Sequence, residues 1–497
     1  MRKHLLAGLA TLTVLLVSLP GQMVAAAPRA TGRAAVLAFR DAEHARMVRR
    51  GLHPAPAIPA PGNRARTPLA FGTKRFVQQV SEDTLPPASG TEPDTQVEPD
   101  IDMDPNNALH VVAVMQQGRD PNGGSVDPGW ASSRDSGKTW TSGNLPHLTT
   151  AVGGVWDRAS DPAVAFGPDG AAYAVTLAFN THNNLSGVAV NRSDDGGLTW
   201  NDPVMAATDP NGGDDKEWIA VDDFPSSPNF GRVYVSWDRA ESFGQPILLA
   251  SSDTRGSSWS AVKTVSGTSS FTIGARPVVQ PNGDLTIVYE NFASGKIVSQ
   301  ISHDGGATFG AAVSVAADRA SDPPDMRAGS DLPSAAVDPT TGSMYVAWGD
   351  TRFRSDGTMD ALVSRSTDGG ATWGAPVRAN QDATTDGLDH VTPAVAANGG
   401  FVHVTYRTRA KTSSGYSNAV DMRYIVSGDG GQTFGGELVL GPLTNLRWAA
   451  TAGGLFLGDY MGVAASAGSV HAVWCRASRP PTPETYHQTT WSGTIQK

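Results

Sequence analysis

Short runs of alternating apolar and polar residues cover this 497-residue chain after residue 70, and helical periodicity is nearly absent there. Six strongly apolar runs each follow a turn rich in Asp, Asn, Pro, Ser or Gly; they span residues 109–115, 172–177, 233–237, 285–289, 344–348 and 402–406. An apolar run after such a turn is typical of the second strand of a β-hairpin. The pattern therefore predicts an all-β fold of repeated hairpins.

An eight-residue repeat, Ser-x-Asp-(Gly/Ser)-Gly-x-Thr-(Trp/Phe), follows these hairpins. Five well-kept copies span residues 133–140, 193–200, 302–309, 366–373 and 427–434, and a decayed copy ends at Trp259. Asp can accept hydrogen bonds from its own turn, Gly supplies a positive φ, and the aromatic residue packs the turn against apolar neighbours. The repeat resembles the Asp-box, or BNR repeat, of sialidases and related β-propellers. In that family the boxes lie on turns away from the active site.

The number of hairpins suggests how many blades the propeller has. A seventh copy of the hairpin pattern lies at residues 461–474 without a following repeat, and the last expected strand is near residues 486–491. The alternating run at residues 75–80 can supply the missing outer strand and so hide an open sheet edge. We therefore expect seven four-stranded blades in a ring closed by an N-terminal strand, with six blades as the alternative.

The first 70 residues differ in composition from the rest. Arg2 and Lys3, an apolar stretch at residues 5–19 and the small residues 24–27 are typical of a cleaved secretory signal peptide. Residues 28–70 are rich in Ala, Pro and Arg, which indicates a leader and linker. The predicted organisation is thus a signal peptide at 1–27, a leader at 28–70 and a propeller at 71–497 in a secreted protein.

Composition excludes several classes of partner. The formal net charge of −10 argues against nucleic acid, which requires a basic surface. The single cysteine, Cys475, cannot form an intrachain disulfide, so packing must stabilise the fold. No segment after the signal peptide approaches the apolar length of a membrane span. We expect a secreted monomer without a cofactor.

Residues just before the inner strands and just after the second strands should open onto one face of a propeller, opposite the repeat turns. Charged and polar residues recur at these places: Glu98, Asp161, Lys216, Glu217, Arg276, Asp331, Asp389, His390, Asp459 and Tyr460 before inner strands, and Arg119, Asp238, Arg239, Glu290, Asp350, Arg352, Arg407 and Arg476 after second strands. Such a ring suits a polar, anionic or polyhydroxylated ligand, since Arg binds carboxylates in a bidentate manner. The alternative is that the pairs are structural contacts between blades.

The resemblance to sialidases implies specific roles for some of these residues. Tyr460 would be the nucleophile, Glu217 (or Glu290) the base that activates it, and Asp161 (or Asp459) the acid/base. Substrate would be bound by Arg276, Arg352 and Arg407, together with Asp331 and Asp459. The sequence departs from the family at the first arginine of the triad, because the stretch Gln96-Val97-Glu98-Pro99 stands in place of Arg-Ile-Pro.

The leading functional hypothesis is an exo-glycoside hydrolase of sialidase type that acts on glycans, some of them acidic. The missing arginine favours two alternatives, a non-catalytic propeller that binds carbohydrate or protein, and a polysaccharide lyase. The loops at residues 120–124 and 209–215 place oxygen atoms at alternate positions, as a Ca²⁺ site would. The sugar and the linkage stay open at this point.

Overall fold

The computed structural model describes residues 71–72, 74–330, 332–480 and 485–497. The predicted signal peptide and leader, and the predicted site residue Asp331, lie outside these residues. The regular secondary structure of the described chain is β-strand apart from two short 3-10 helices, Thr150–Val152 and Leu446–Trp448. Within it, no helix is long and apolar enough to cross a membrane. The all-β prediction is confirmed.

The first strand and the three groups after it account for the first half of the fold. In chain order they are β1 (Lys74–Ser81); β2 (Glu92–Met103), β3 (Val111–Arg119), β4 (Ser125–Ser133) and β5 (Thr141–Asn144); β6 (Arg158–Phe166), β7 (Ala172–Phe179), β8 (Ser186–Ser193) and β9 (Val204–Asp209); and β10 (Asp214–Val221), β11 (Val233–Arg239), β12 (Ile247–Ser252) and β13 (Lys263–Thr264).

The second half repeats the pattern, with short extra strands. These are β14 (Thr272–Val279), β15 (Leu285–Asn291), β16 (Lys296–Ser302) and β17 (Val313–Ala317); β18 (Met326–Arg327); β19 (Ser334–Val337), β20 (Met344–Asp350), β21 (Asp360–Ser366) and β22 (Val377–Arg378); β23 (Leu388–Asn398), β24 (Phe401–Thr412), β25 (Gly415–Ser427) and β26 (Gly435–Asn445); β27 (Ala450–Thr451) and β28 (Leu455–Phe456); and β29 (Gly462–Ala465), β30 (Ser469–Ala477) and β31 (Gln488–Gln496). The six apolar runs in the sequence all overlap second strands.

The strands form a propeller, but its sheets are not seven separate blades. Among the described residues there are four four-stranded sheets, one three-stranded sheet and one sheet of 12 strands. The large sheet contains the groups β2–β5, β6–β9 and β29–β31 with β1, joined through the single pairs Thr95–Gln488 and Ser125–Ala159. Counting sheets of four or more strands gives five, not the predicted seven or six, because these two bridging pairs merge three groups.

The N-terminal strand pairs with the C-terminal strand, as the alternation at residues 75–80 predicts. β1 runs antiparallel to β31, with Lys74 opposite Gln496 and Gln79 opposite Trp491. Val77 packs against a core cluster that contains Trp474 and Ile495. Residues from the two ends of the described chain therefore share one core.

One strand from each group lines a channel of about 530 Å³ at the centre of the fold. The lining includes one small or β-branched residue from each of seven strands in the described chain: Ile101, Ala165, Ala220, Val278, Ala336, Ala396 and Ala464. We call these the inner strands. Asp104, Asn398 and Ser466, at or directly after the ends of three inner strands, also line the channel, so it reaches the face where these strands end. We call the opposite end, where the inner strands begin, the mouth.

The hydrogen-bonding groups of the repeat turns find partners within the same turn, as their residue chemistry predicts. In the copy at residues 366–373, Asp368 accepts hydrogen bonds from Thr372 N (2.9 Å) and from the hydroxyl groups of Thr372 (2.5 Å) and Ser366 (2.8 Å). Ser366 Oγ in turn accepts from Gly370 N at 2.8 Å. These carboxylates are occupied within their own turns, so they contribute to architecture.

Candidate functional site at the mouth

The side chains at the mouth are positioned by a bulge that recurs at the start of the inner strands. Glu98, Asp161 and Lys216 have φ values of 53°, 52° and 46°, and strand pairing shifts register around each of them. A bulge re-aims its side chain, and a positive φ in a residue other than glycine is strain that the surroundings must hold in place. The fold thus directs three charged side chains to one place.

Tyr460 and Lys216 contact each other at the mouth. The Lys216 Nζ atom is 3.7 Å from the centroid of the Tyr460 ring and 4.3 Å from that of Trp218. Lys216 is 1% exposed, and its Nζ atom has no hydrogen-bond partner among the described residues. The Tyr460 hydroxyl donates to Pro162 O at 2.8 Å. A cation over two aromatic rings is favourable without a hydrogen bond.

Four carboxyl groups, those of Glu98, Asp161, Glu217 and Asp100, act electrostatically on Tyr460, and several of them also act on one another. Burial raises the pKa of Glu217 well above 4.5, and the neighbouring Asp161 raises it further. Burial and the carboxylates of Asp161 and Asp459 do the same for Glu98. Burial, then Glu98, Asp161 and Glu217, raise the pKa of Tyr460 well above 10. We call Glu98, Asp161, Lys216, Glu217 and Tyr460 the mouth cluster.

Glu217 is the least satisfied member of the mouth cluster. Its side chain is fully buried, and neither carboxyl oxygen accepts a hydrogen bond from a described residue. A buried carboxylate without partners is costly, so the neutral acid is favoured. The structure therefore brings the three predicted catalytic residues, Tyr460, Glu217 and Asp161, into one group.

A small sheet covers the mouth, and the sequence pattern did not predict it. β18 pairs in parallel with β28, which pairs antiparallel with β27; we call these three strands the cap. Phe456 in the cap is 1% exposed, and its ring centroid is 5.2 Å from the Arg119 guanidinium carbon and 5.3 Å from that of Arg327. The mouth cluster is thus enclosed in this structure.

Ion pairs and buried donors hold the cap. Arg327 Nε donates to Asp459 Oδ1 at 2.8 Å, and Arg409 pairs with Asp325 at 2.6 and 2.9 Å. Arg407 is buried and donates to Leu457 O (2.9 Å) and Gly458 O (3.1 Å). Two of the predicted substrate-binding residues therefore have structural partners: Arg407 binds the loop that leads into the last inner strand, and Asp459, in that loop, binds Arg327 of the cap.

The other two predicted arginines differ in environment. Arg352 makes a bidentate pair with Asp350, at 2.9 and 2.5 Å, and donates to Ala317 O at 2.6 Å. Arg276 forms no ion pair or hydrogen bond with a described residue; its guanidinium carbon lies 3.9 Å from the Trp218 ring centroid. It lines both the channel and a cavity of about 20 Å³ under the mouth cluster. The three predicted arginines thus have different partners: Arg352 binds Asp350, Arg407 binds backbone carbonyl groups and Arg276 lies against Trp218.

The two loops that suggested Ca²⁺ use their carboxylates internally. Asp120 accepts from Asn122 N and pairs with Arg158 at 2.6 Å, and Asp209 accepts from Asn211 N and Gly213 N. A separate group, Asp360, Asp382 and His390, has ligand atoms within 4.8 Å of one another. Arg354 and Arg378 already pair with its carboxylates, and two guanidinium ions supply the charge that a metal would.

Sequence patterns missed three residues that matter at the mouth. Arg327 and Phe456 lie in long loops before inner strands, and the length of those loops was the available signal. Trp218, two residues after Lys216 on the same inner strand, has the pattern of an ordinary core residue. Glu98 was expected at the mouth but was given no role in catalysis; it is 2% exposed and accepts hydrogen bonds from Gln116 and from Asp459 N.

Solved structures similar to this chain include sialidases and GH93 arabinofuranosidases. An endosialidase of phage phi92 matches with a TM-score of 0.49 and 10% identity, over 85% of this chain and 69% of that one. The Hadza microbial sialidase Hz136 matches with 0.43 and 14%, over 77% and 75%. An α-L-arabinofuranosidase of Fusarium graminearum matches with 0.42 and 14%, over 66% and 92%. No family model and no curated protein matches the chain. With identities of 10–14% and TM-scores below 0.5, these similarities assign no role to the residues at the mouth.

Proposed function

We propose that this protein acts on glycans and hydrolyses a glycosidic bond at the mouth cluster. The observation that carries the proposal is the group of Glu98, Asp161 and Glu217 near Tyr460, in which burial raises the pKa values of Glu98 and Glu217 and so favours their protonated forms. Glycoside hydrolysis needs one carboxylic acid to protonate the leaving oxygen and a second carboxylate for the other step. Paired acids with raised pKa values in a strained, enclosed site favour this chemistry over a purely structural role.

The roles we propose follow the environment of each group. Glu217 is the general acid, because its environment favours the protonated form. Asp161 is the second carboxylate. Tyr460 positions the Asp161–Pro162 bulge through its hydrogen bond to Pro162 O. Action of Tyr460 as a nucleophile, which the sialidase resemblance implies, requires loss of that hydrogen bond and of a proton with a raised pKa.

The test is hydrolysis of a panel of 4-methylumbelliferyl glycosides, including the sialoside and the α-L-arabinofuranoside. Glu217→Gln and Asp161→Asn should each lower kcat/KM by at least about 100-fold, as expected for loss of a general acid or base. Asp304→Asn, on a repeat turn, is the matched control and should retain activity. Equal activity in wild type and Glu217→Gln would refute the role of the cluster.

Access requires the cap to move. Because β18 and β28 are adjacent, with Met326 opposite Leu455, a disulfide between Met326→Cys and Leu455→Cys should prevent opening of the cap by separation of these two strands. We expect turnover to be lost on oxidation and restored by dithiothreitol. The only native cysteine in the chain, Cys475, is buried and does not compete. Full turnover of a verified crosslinked protein would show that substrate does not enter between β18 and β28.

A non-catalytic glycan-binding propeller is the second candidate, and one observation favours it. Arg407 is occupied by backbone carbonyl groups and Arg352 by Asp350, so both are already bound within the protein. If no glycoside is hydrolysed but a glycan array shows binding that Arg276→Gln weakens, this second function holds.

We also infer that the fold is a closed ring of seven blades in an exported protein. The seven inner strands around one channel and the β1–β31 pairing support this count. The merging of three groups into one sheet depends on two single pairs, which are contacts between neighbouring blades. Expression with residues 1–27 in a host that cleaves signal peptides, followed by N-terminal sequencing of the medium fraction, tests export.

A further inference from the structure

Away from the mouth, a groove of about 410 Å³ lies between the repeat turns at residues 366–373 and 427–434. Its lining combines an aromatic residue, an arginine and small polar residues: Trp373, Arg365, Thr367, Thr372, Gly374 and Gln432. This composition is typical of sites for polar, ring-shaped ligands. The groove is on the face opposite the mouth.

A comparison between two copies of the repeat shows what distinguishes the groove. Arg192 and Arg365 both stand directly before the first serine of their repeats. Arg192 pairs with Asp194 at 3.0 Å, and Asn201 Nδ2 donates to the same carboxylate at 3.1 Å. The corresponding positions in the later copy are Thr367 and Gly374. The later repeat therefore lacks both the carboxylate that pairs with Arg192 and the amide that donates to this carboxylate.

Arg365 consequently has few hydrogen-bond partners close to its own repeat. Its Nη2 atom donates to Ser343 Oγ at 3.1 Å, while its Nε atom is buried without a hydrogen-bond partner among the described residues. The guanidinium also packs against Gly430, where the Cβ atom of any larger residue would lie 2.9 Å from Nη1. Asp429, in the next repeat, uses its carboxylate to accept from Ser427 and Thr433. A bound anion would supply the partner that Asp194 supplies to Arg192.

We propose that this groove binds an acidic saccharide, with the carboxylate or sulfate of the sugar on Arg365 and a sugar ring against Trp373. Arg matches the geometry of either anion in a bidentate manner. Thr372 and Gln432, both exposed, flank the groove and can bind sugar hydroxyl groups. The site is independent of the mouth cluster and does not depend on hydrolysis there.

The test is calorimetric titration with trigalacturonate, its methyl ester and galactose 6-sulfate. Wild type should bind trigalacturonate or galactose 6-sulfate, and should bind the uncharged ester at least about tenfold more weakly, as expected for one charge-assisted contact. Thr367→Asp restores the carboxylate found in the earlier repeat and should remove binding of the acidic ligands. Thr367→Asn, with nearly the same shape and no charge, should retain it.

Two results would overturn the proposal. One is the absence of binding of both acidic ligands to wild type. The other is equal affinity in Thr367→Asp and Thr367→Asn, which would mean that the ligand binds elsewhere, for example at the mouth. Because Thr367→Asp adds a partner for Arg365 and removes none, it should leave the melting temperature unchanged or higher, and loss of binding cannot then be ascribed to unfolding.

Discussion

The hydroxyl group of Tyr460 donates a hydrogen bond to the carbonyl oxygen of Pro162 at 2.8 Å, across two different inner-strand starts. Pro162 directly follows Asp161, whose φ of 52° is strained. The bond therefore ties the last inner strand to the bulge that presents Asp161. The same hydrogen bond uses the hydroxyl proton that Tyr460 would have to lose in order to act as a nucleophile.

Tyr460→Phe should accordingly lower turnover by less than about tenfold and cost about 1 kcal/mol of stability, the usual contribution of one hydrogen bond. The measurement is kcat and KM on the best substrate of the glycoside panel, with the unfolding midpoint measured alongside. A loss of several orders of magnitude in kcat at unchanged stability would instead assign Tyr460 as the nucleophile.

Asp368→Ala should destabilise the protein by about 1 kcal/mol, because Thr372 N and two hydroxyl groups lose their acceptor on a largely exposed turn. Binding and turnover at the mouth should not change, since the turn lies on the opposite face. Chemical denaturation and glycoside assays check the two parts. Asp368→Asn, which keeps one acceptor oxygen, should be affected less; lost activity with unchanged stability would place the active site on the other face.

Deletion of residues 71–80 should lower the melting temperature and promote aggregation. It removes the partner of β31 and leaves an open strand edge beside the Trp474 cluster. Deletion of residues 28–70 alone is the control, and we expect it to leave the melting temperature unchanged. Differential scanning calorimetry and light scattering report both effects, and an unaltered melting temperature after loss of 71–80 would contradict the role of β1.

Asp389→Asn should remove part of the pH dependence of stability. Burial raises the pKa of Asp389 to about 6, so the folded state binds this proton more tightly than the unfolded state, where the value is about 3.9. Its contribution is present below pH 4 and is lost as the pH rises through 6. The free energy of unfolding of wild type minus that of the variant should therefore fall between pH 4 and 7. A difference that stays constant with pH would show that Asp389 has an ordinary pKa.

Strand positions were predictable because turn chemistry and alternation act locally. The pairing of Arg75 with Ile495 could be expected once the last hairpin was seen to lack an outer strand. The cap could not be predicted, because β18 and β28 are two residues each, lie far apart in the sequence and become adjacent only when the chain folds. Two-residue strands carry no periodicity.

The sequence also did not predict how far along the channel each side chain lies. The sequence pattern placed Arg276 at the mouth beside Glu98. In the structure, regular pairing after the bulge resumes at Arg276 in β14 and at Asp100 in β2, so Arg276 corresponds to Asp100 and not to Glu98. Gly274, with a φ of 76°, has the place that Glu98 has in β2. A bulge changes register by local strain that side-chain alternation does not encode. This is why one predicted arginine faces the channel.

The pairing of Lys74 with Gln496 also determines how the fold should respond to force. In this antiparallel pair, the N-terminal end of β1 and the C-terminal end of β31 lie at the same end of the ladder. Tension applied through residues 74 and 496 would load the backbone pairs one after another, as in unzipping, and not all together, as in shear. We expect the molecule to begin yielding at low force by peeling β1 from β31, before the other strands carry any load.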